Sequence, residues 1–374
     1  MLNLFLRIYR DSAMAEQTPV QIFRREERQR QYRSGTFYLK VAILFFFILV
    51  PFLFPSFKTL DLALKIMIFA VLVASFDVLL GYTGILSFGH VMFFGIGAYS
   101  VGMLIGKYGS PSYLNLVIGF IIALGVTTAL ALLVSFLSLR VKAIFFAMVT
   151  LAIAEFAIIL ATKLSGFTGG EDGIIMSMPG IFKVSFNMGK FLGVEITGRI
   201  LTYYFILLFC LGLFLSMVRF IHSPLGRTMQ AIRDNEPRAE ALGYKTFIVK
   251  SISICFGCLV STILGGLYVM WVGYANPESV LGIPIMLDVL LMEIVGGMGT
   301  LYGGLAGAAF LEFAHSFLPD LQNFAKSLFP GAHFLHAIME RWLLIFGILF
   351  ILVVFFFPKG IIGSAQDYIA RRKT

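Results

Sequence analysis

The chain has 374 residues, of which 59% are hydrophobic and 13% charged, whereas soluble domains carry roughly 25% charged residues. This composition excludes an ordinary soluble protein and predicts an integral membrane protein with one membrane domain. The net charge of +9 does not indicate nucleic-acid binding. The basic residues cluster in an N-terminal arm, a central loop and a C-terminal tail, which the positive-inside rule expects of cytoplasmic segments beside a lipid bilayer.

The two ends of the chain are predicted to be basic cytoplasmic segments. Residues 1–36 carry seven arginines mixed with acids and lack a short apolar core with a cleavage site, so a signal peptide is not expected. The tail, 358–374, ends in RRKT. Residues 37–357 between them form the predicted polytopic transmembrane domain.

Apolar runs in this domain predict about ten transmembrane helices. Their approximate positions are 37–54, 61–80, 81–105, 114–139, 143–162, 200–221, 251–271, a run from 285 to 318 that is broken into two spans, and 337–357. An even number of crossings places both termini, the basic corner at 140–142 and the central loop on one side, and the basic clustering makes that side cytoplasmic. The predicted fold class is therefore an all-α integral membrane protein with both termini cytoplasmic.

Two of these segments are dense in glycine and are expected to have irregular backbone. They are GYTGILSFGHVMFFGIGAYSVGMLI (81–105) and VGGMGTLYGGLAG (295–307). Lipid cannot satisfy free peptide groups, so such backbone must be buried in protein or line a cavity. The spacing of Gly299, Gly303 and Gly307 also matches G-x-x-x-G, a signal for close helix packing. Polar loops are predicted at 163–199 and 319–336.

The central loop, 222–250, contains a predicted helix of roughly two turns. Asn235 is a suitable N-cap, Pro237 falls in the first turn, and Gly243 suits a left-handed C-terminal position. Ala239 and Leu242 share one face, which would make a small apolar knob. Arg238 and Glu240 point elsewhere and would form its charged rim. From the residues alone, a helix that enters a groove on another protein and a plain solvated connector are equally good interpretations.

No stretch of the chain matches a catalytic or cofactor motif. The phosphate-binding pattern G-x-x-x-x-G-K-[ST] is absent, so any energy from ATP must come from a partner. His333, His336 and Glu340 have a spacing that could face one metal, but polar residues are common at the start of a span, and no metal site is predicted. Six ionisable residues within apparent spans are costly there and are candidates for function. They are Asp77, His90, Glu155, Asp288, Glu293 and Glu312. No run of acids at one depth indicates a proton relay.

Six stretches, in this order and spacing, carry a family resemblance. They are GYTGILSFGHVMFFGIGAYSVGML (81–104), FTGGEDGI (167–174), LGRTMQAIRDNEPRAEALGY (225–244), NPESV (276–280), LLMEIVGGMGTLYGGLAGA (290–308) and FPKGIIG (357–363). Together they resemble the M-type permease subunits of bacterial branched-chain amino acid ABC importers. The resemblance covers about residues 60–363, and the N-terminal arm has no counterpart in it.

This resemblance implies a transport subunit of the prokaryotic cytoplasmic membrane and not an enzyme. Its partners would be a second, H-type permease, two cytoplasmic ATPase subunits that use ATP and Mg²⁺, and an extracytoplasmic substrate-binding protein. The chain itself would bind no cofactor. The helix in the central loop would be the ATPase-coupling element, with Glu240, Ala241 and Gly243 in the family's motif and Arg238 and Leu242 beside them.

The translocation path is expected along the two glycine-rich segments, because irregular backbone is predicted there. The expected lining residues are Gly81, Gly84, Gly89, His90, Gly95, Gly97, Glu293, Gly296, Gly297 and Gly299. Two alternatives stay open. Urea and short-chain amide ABC permeases share the first glycine-rich segment and the FPKG ending. A stand-alone secondary carrier or channel would need neither ATPase nor binding protein.

Overall fold

The computed structural model describes residues 38, 41–54, 56–138, 143–191, 194–328, 341–358 and 360–364. The predicted basic arm, the basic corner at 140–142, the three residues considered as metal ligands and most of the C-terminal tail lie outside these residues. The chain divides into two compact units, Met1–Ser56 and Phe57–Thr374. In the first unit, one apolar helix, α1 (Val41–Leu53), occupies the first predicted span. At 1.5 Å per residue it is about 20 Å long.

The second unit is a helical bundle with four very short strands. Its elements in chain order are α2 (Phe57–Thr83), α3 (His90–Gly102), α4 (Tyr113–Ser138), α5 (Ala143–Lys163), α6 (Ser165–Thr168), β1 (Ile174–Ile175), β2 (Asn187–Phe191), β3 (Val194–Thr197), α7 (Gly198–His222), α8 (Pro224–Asp234), α9 (Glu236–Ala241), α10 (Thr246–Val272), β4 (Tyr274–Ala275), α11 (Pro277–Leu281), α12 (Ile283–Gly296), α13 (Leu301–Leu328) and α14 (Trp342–Phe356). A widened turn, Met103–Lys107, extends α3.

Within the described residues, eight helices are long and apolar enough to cross a membrane. They correspond to eight of the ten predicted spans, and α11 with α12 makes one of them. The other two predicted spans are also helical, as the shorter α1 and as α13. Helix α13 carries Glu312 and His315, with Pro319 inside it. The all-α membrane architecture is therefore confirmed, with broken helices at the two glycine-rich segments.

The core of the bundle forms around α10, which packs along α3, α4 and α2, while α2 also packs along α13. Glycine allows these backbones to touch. A methyl group at Gly97 of α3 would overlap the carbonyl oxygen of Thr262 in α10, and one at Gly265 of α10 would overlap that of Phe94 in α3. A methyl at Gly307 of α13 would likewise overlap the Met292 carbonyl of α12. The G-x-x-x-G spacing therefore marks close helix packing, as predicted.

The first glycine-rich segment is more regular than predicted. Only residues 84–89 are non-helical, and His90–Gly102 is a regular helix. The expectation of irregular backbone through Gly97 is wrong, because α3 satisfies its own peptide groups while its glycines serve the contact with α10. The second break is real and short, covering residues 297–300 between α12 and α13.

The polar stretch 163–199 was predicted as a loop and contains two pieces of sheet. Strands β2 and β3 form an antiparallel hairpin, and β1 pairs antiparallel with β4 through Ile174↔Ala275. The β1–β4 pair brings two of the matched stretches, 167–174 and 276–280, together beyond the end of α10. Gly173 is required there because a side chain would overlap the Ala275 carbonyl.

Candidate functional site

The central loop folds into two consecutive helices, α8 and α9, which we call the coupling segment (Pro224–Ala241). Ser223 caps α8 by accepting from Gly226 N at 3.3 Å, and Asn235 caps α9 by accepting from Arg238 N at 3.0 Å. A proline stands in the first turn of each helix, where its missing N–H costs nothing. The prediction of a capped helix after Asn235 is confirmed, whereas α8 was not predicted.

Helix α9 is held against the first turn of α10 by polar contacts. Thr246 Oγ1 donates to Glu240 Oε1 at 2.7 Å, and Lys250 Nζ forms an ion pair with Glu236 Oε1. Gly243 closes α9 in the left-handed conformation, φ +87°, as predicted. Glu240 therefore braces its own chain, and the coupling segment is fixed to α10 at one end.

The expected apolar knob is half right. Leu242 is 72% exposed, but Ala239 is only 3% exposed and packs into its own chain. Of the two residues on the face predicted from helical spacing, Ala239 lies against this protein because α9 docks on the bundle, whereas Leu242 is exposed. The exposed residues of α9 and of the turn that follows it include Arg238, Glu240, Ala241, Leu242 and Gly243.

At its other end, the coupling segment reaches the membrane core through Arg233, near the end of α8. Its guanidinium donates from Nη1 to the carbonyl oxygen of Gly81 at the end of α2. The same side chain passes the two glycines at 84 and 299. A Cβ at Gly84 would lie 3.3 Å from Arg233 Cγ, and one at Gly299 would lie 3.1 Å from Nη1. Both glycines have positive φ, +75° and +80°.

Asp77, one turn before Gly81 in α2, connects the end of α2 to the break at residues 297–300. Its Oδ1 accepts from the backbone N–H of Gly299 at 2.6 Å. Gly360 of the FPKG motif, φ +74°, packs against the same break at Gly297. The two backbones are so close that a Cβ on Gly360 would overlap the Gly297 backbone. We call this cluster the glycine junction. Its members are Asp77, Gly81, Gly84, Arg233, Gly297, Gly299 and Gly360.

The glycine junction brings together residues from four of the six matched stretches, those at 81–104, 225–244, 290–308 and 357–363. Sequence reasoning missed Arg233 and Gly360 as members. Arg233 has Asp234 and Glu236 close to it in the sequence, so its local pattern does not indicate a distant partner. Its partner lies 152 residues away in the chain, which spacing alone does not reveal.

Two acidic side chains at the junction are enclosed. Asp77 is 0% exposed and Glu293, in α12, is 1% exposed. Their carboxyl groups lie within hydrogen-bonding reach of each other, and the charge of Arg233 acts on Asp77. The sequence had marked both acids as costly in a membrane. It did not indicate that they meet.

The other predicted path residues lie in packed surroundings. His90 is fully buried, its Nε2 lies 2.9 Å from Ser75 Oγ, and its ring packs on Phe76. Gly89 approaches the Thr150 backbone, Gly95 approaches Leu281, and Gly296 approaches Gly303. Each of these glycines allows a close helix approach within this chain. Whether Gly81, Gly84, Gly89, Gly95 and Gly97 also face a translocation path stays a prediction.

Beyond the other end of α10, a cavity of about 450 Å³ opens beside α11 and α5. Helix α11 begins with a reciprocal capping box in which Asn276 and Ser279 bond each other's backbone N–H. The lining includes three carboxylates, those of Glu155, Glu171 and Glu278, together with apolar walls. Glu155, which the sequence placed inside a span, therefore faces a cavity.

The fold and the site define a polytopic membrane protein in which the helical central loop, 222–250, is hydrogen-bonded to the core helices α2 and α10. A family model described as "Branched-chain amino acid transport system / permease component" matches residues 58–354. The chain belongs to this family. It is thus a multi-pass permease subunit of a prokaryotic ABC importer, and it works with other transporter subunits.

Curated relatives agree with this assignment. The chain is 27% identical over 316 residues to the high-affinity branched-chain amino acid transport system permease protein LivM of Escherichia coli K12, covering 81% of this chain and 72% of the relative. It is 24% identical over 313 residues to the probable LivM of Methanocaldococcus jannaschii, covering 75% of this chain and 86% of that relative. No solved structure gives a significant match.

Proposed function

We propose that this chain and a second, H-type permease together form a membrane path for leucine, isoleucine and valine, and that two cytoplasmic ATPases drive the path through the coupling segment. ATP and Mg²⁺ are used by those ATPases, and an extracytoplasmic binding protein delivers the substrate. Both termini and the coupling segment face the cytoplasm. The observation that carries the proposal is the connection from α8 of the coupling segment to the end of α2 through Arg233 and Gly81.

The coupling segment suits a rigid lever. Both helices are capped, α9 is braced on α10 through Glu240 and Thr246, and α8 ends on the glycine junction. A force applied to the exposed residues of α9 therefore reaches both α10 and the breaks at 84–89 and 297–300. Domain-scale rigid motions of this kind are the usual way in which a local push becomes a change of access.

The exposed side of α9 supplies the contact with an ATPase. Leu242 offers an apolar side chain that its own chain does not cover, and Arg238 offers a charge beside it. Gly243 provides the turn that keeps both side chains on the surface. In this proposal, the path follows the segments that α8 touches. Glu293, Gly296 and Gly297 are enclosed within this chain and, with Gly299, would line the path on the α12 side only when the break at 297–300 opens.

The experiment that tests the transport function is uptake of labelled leucine into vesicles that hold this chain, its partner permease, the ATPases and the binding protein. ATP-dependent leucine uptake that excess urea does not reduce supports the proposal. Uptake of urea without leucine would make the chain a urea or amide permease with the same coupling. Leucine uptake by this chain alone without ATP would make it a stand-alone carrier and would refute the coupling.

A further inference from the structure

If Asp77 of the glycine junction and the neighbouring Glu293 are both ionised, three of their four carboxylate oxygens lack a hydrogen-bond donor among the described residues. Asp77 Oδ1 accepts from Gly299 N, but Asp77 Oδ2 and both Glu293 oxygens have no partner among the described residues. An ionised carboxylate is only an acceptor, so two ionised groups cannot bond each other, whereas a protonated carboxyl can donate one hydrogen bond. The carboxyl groups lie within hydrogen-bonding reach, and one proton would supply the missing donor.

The charges at the junction also point to a single proton. The ionisable groups near enough to act on the acids are Arg233 of α8, whose charge acts on Asp77, and Tyr82 of α2, whose phenol is influenced by both acids. Two buried negative charges against one guanidinium leave an unpaired charge, which is costly in a protein interior. With one proton, the charges of Asp77, Glu293 and Arg233 balance.

A metal ion fits the site less well than a proton. Divalent cations such as Ca²⁺ or Mg²⁺ take about six or more oxygen ligands. In the part of the chain that the structure describes, no third acid, histidine or cysteine joins the two carboxyl groups in a cluster that could hold a metal.

We propose that Asp77 and Glu293 form a proton-binding site that holds one proton between them and closes the glycine junction. The proton sits on Glu293, because Asp77 already accepts from Gly299 N–H and lies beside Arg233, whereas both Glu293 oxygens lack any other partner among the described residues. The site does not depend on which solute is transported. One consequence rests on the proposed function, since withdrawal of Arg233 with α8 would leave a net negative charge and draw in a second proton.

By thermodynamic linkage, proton binding and the position of α8 must influence each other. If movement of α8 changes the number of bound protons, then pH must change the equilibrium between the two positions of α8 by the same coupling free energy. The acids are therefore a point at which pH acts on the joint between the coupling segment and the membrane core.

The test is infrared spectroscopy of the purified full-length chain in lipid at neutral pH. We expect that the difference spectrum of wild type minus Glu293→Gln contains one protonated carboxyl band that shifts in D₂O. Gln can donate to Asp77 as the protonated acid does, so this variant should fold and melt like the wild type. Asp77→Asn should melt at a lower temperature than the wild type, because it removes the carboxylate that accepts from Gly299 N–H and lies beside Arg233. The matched control is Glu278→Gln, an exposed acid, which should leave the band unchanged.

The variant Arg233→Gln tests proton binding directly, because a purely structural role of Asp77 and Glu293 would not change the intensity of the protonated carboxyl band. Without the guanidinium, the two acids should hold close to two protons at neutral pH. In the Arg233→Gln background, the protonated-carboxyl intensity lost when Glu293→Gln and Asp77→Asn are both added should therefore be about twice the intensity lost in the wild-type background. Absence of the band in wild type, two bands lost in the wild-type background, or a Glu293→Gln chain that fails to fold would overturn the proposal. A melting temperature that depends on Na⁺ or Mg²⁺ but not on pH would do so as well. None of these readouts needs transport, so their failure is distinct from failure of the proposed function.

Discussion

The substitution Gly81→Ala tests whether the glycine junction depends on close backbone approach. Gly81 lies in the last turn of α2, where an alanine in place of glycine would ordinarily stabilise a helix by about 1 kcal/mol. In this structure the new methyl group would overlap Asp77 Oδ1 and lie 2.5 Å from Gly299 N. Intrinsic helix propensity and tertiary packing therefore predict opposite signs for one substitution.

The magnitude follows from what the methyl group displaces. If Asp77 moves away, the hydrogen bond from Gly299 N–H is lost, and such bonds to charged groups contribute about 1.5–3 kcal/mol. Overpacking of a close-packed site adds about 1–3 kcal/mol. After the helix-propensity gain is subtracted, the net loss of stability should be about 1.5–5 kcal/mol. In thermal melting this corresponds to a decrease on the order of 5 °C.

The assay is thermal melting of the purified chain in a fixed detergent or lipid, with Gly125→Ala as the matched control. Gly125 lies in the helix α4, and no atom outside that helix's own backbone comes within 4 Å of an added Cβ, so that variant should melt at or slightly above the wild-type temperature. In an Asp77→Ala background, the cost of Gly81→Ala should fall substantially, because the two sites share the clash. If Gly81→Ala melts as high as Gly125→Ala, the argument from close approach is refuted.

Three further substitutions separate contact, turn and packing. Leu242→Ala should change the free energy of unfolding by no more than about 0.5 kcal/mol but weaken assembly with the ATPases, as measured by co-purification, whereas Ile175→Ala, a control at a similarly exposed residue, should not; equal recovery of the complex in both would contradict the contact. Gly243→Ala should cost about 1–2 kcal/mol, because its φ of +87° is strained for a side chain, and should lower substrate-stimulated ATP hydrolysis; unchanged hydrolysis would separate the turn from coupling. Gly97→Ala should cost about 1–3 kcal/mol by overpacking against α10, while Gly212→Ala, where nothing lies within 4 Å, should cost nothing; equal melting of the two would count against the packing role.

Local features of the fold could be predicted from the sequence because their chemistry is local. The cap at Asn235, the left-handed Gly243 and the break after Gly296 depend on residues within a few positions of one another. The apolar spans follow from length and composition in the same way. Ala239 shows the limit, since helical spacing gave the correct face but not what covers it.

The parts that were missed depend on contacts between distant segments. Pairing of β1 with β4 joins residues about a hundred positions apart, and Ile174 alone gives no sign of its partner. The regular helix from His90 was missed for a related reason. Glycine-rich sequence predicts weak helix by propensity, but here tertiary contacts with α10 favour a regular helix in which glycines permit backbone contact.

Close packing at these glycines has a consequence for how motion can spread. A joint with free volume would absorb a displacement of α8 locally, but protein interiors at this density deform little and switch between discrete arrangements. Arg233 touches the end of α2, Gly299 bonds α2 through Asp77, and Gly360 packs against Gly297. A displacement of α8 that keeps the contact with Gly81 must therefore shift α2 and the α12–α13 break together. In the transport cycle that we propose, the glycine-rich stretches would then act as tight joints between moving helices, whether or not they also line the path.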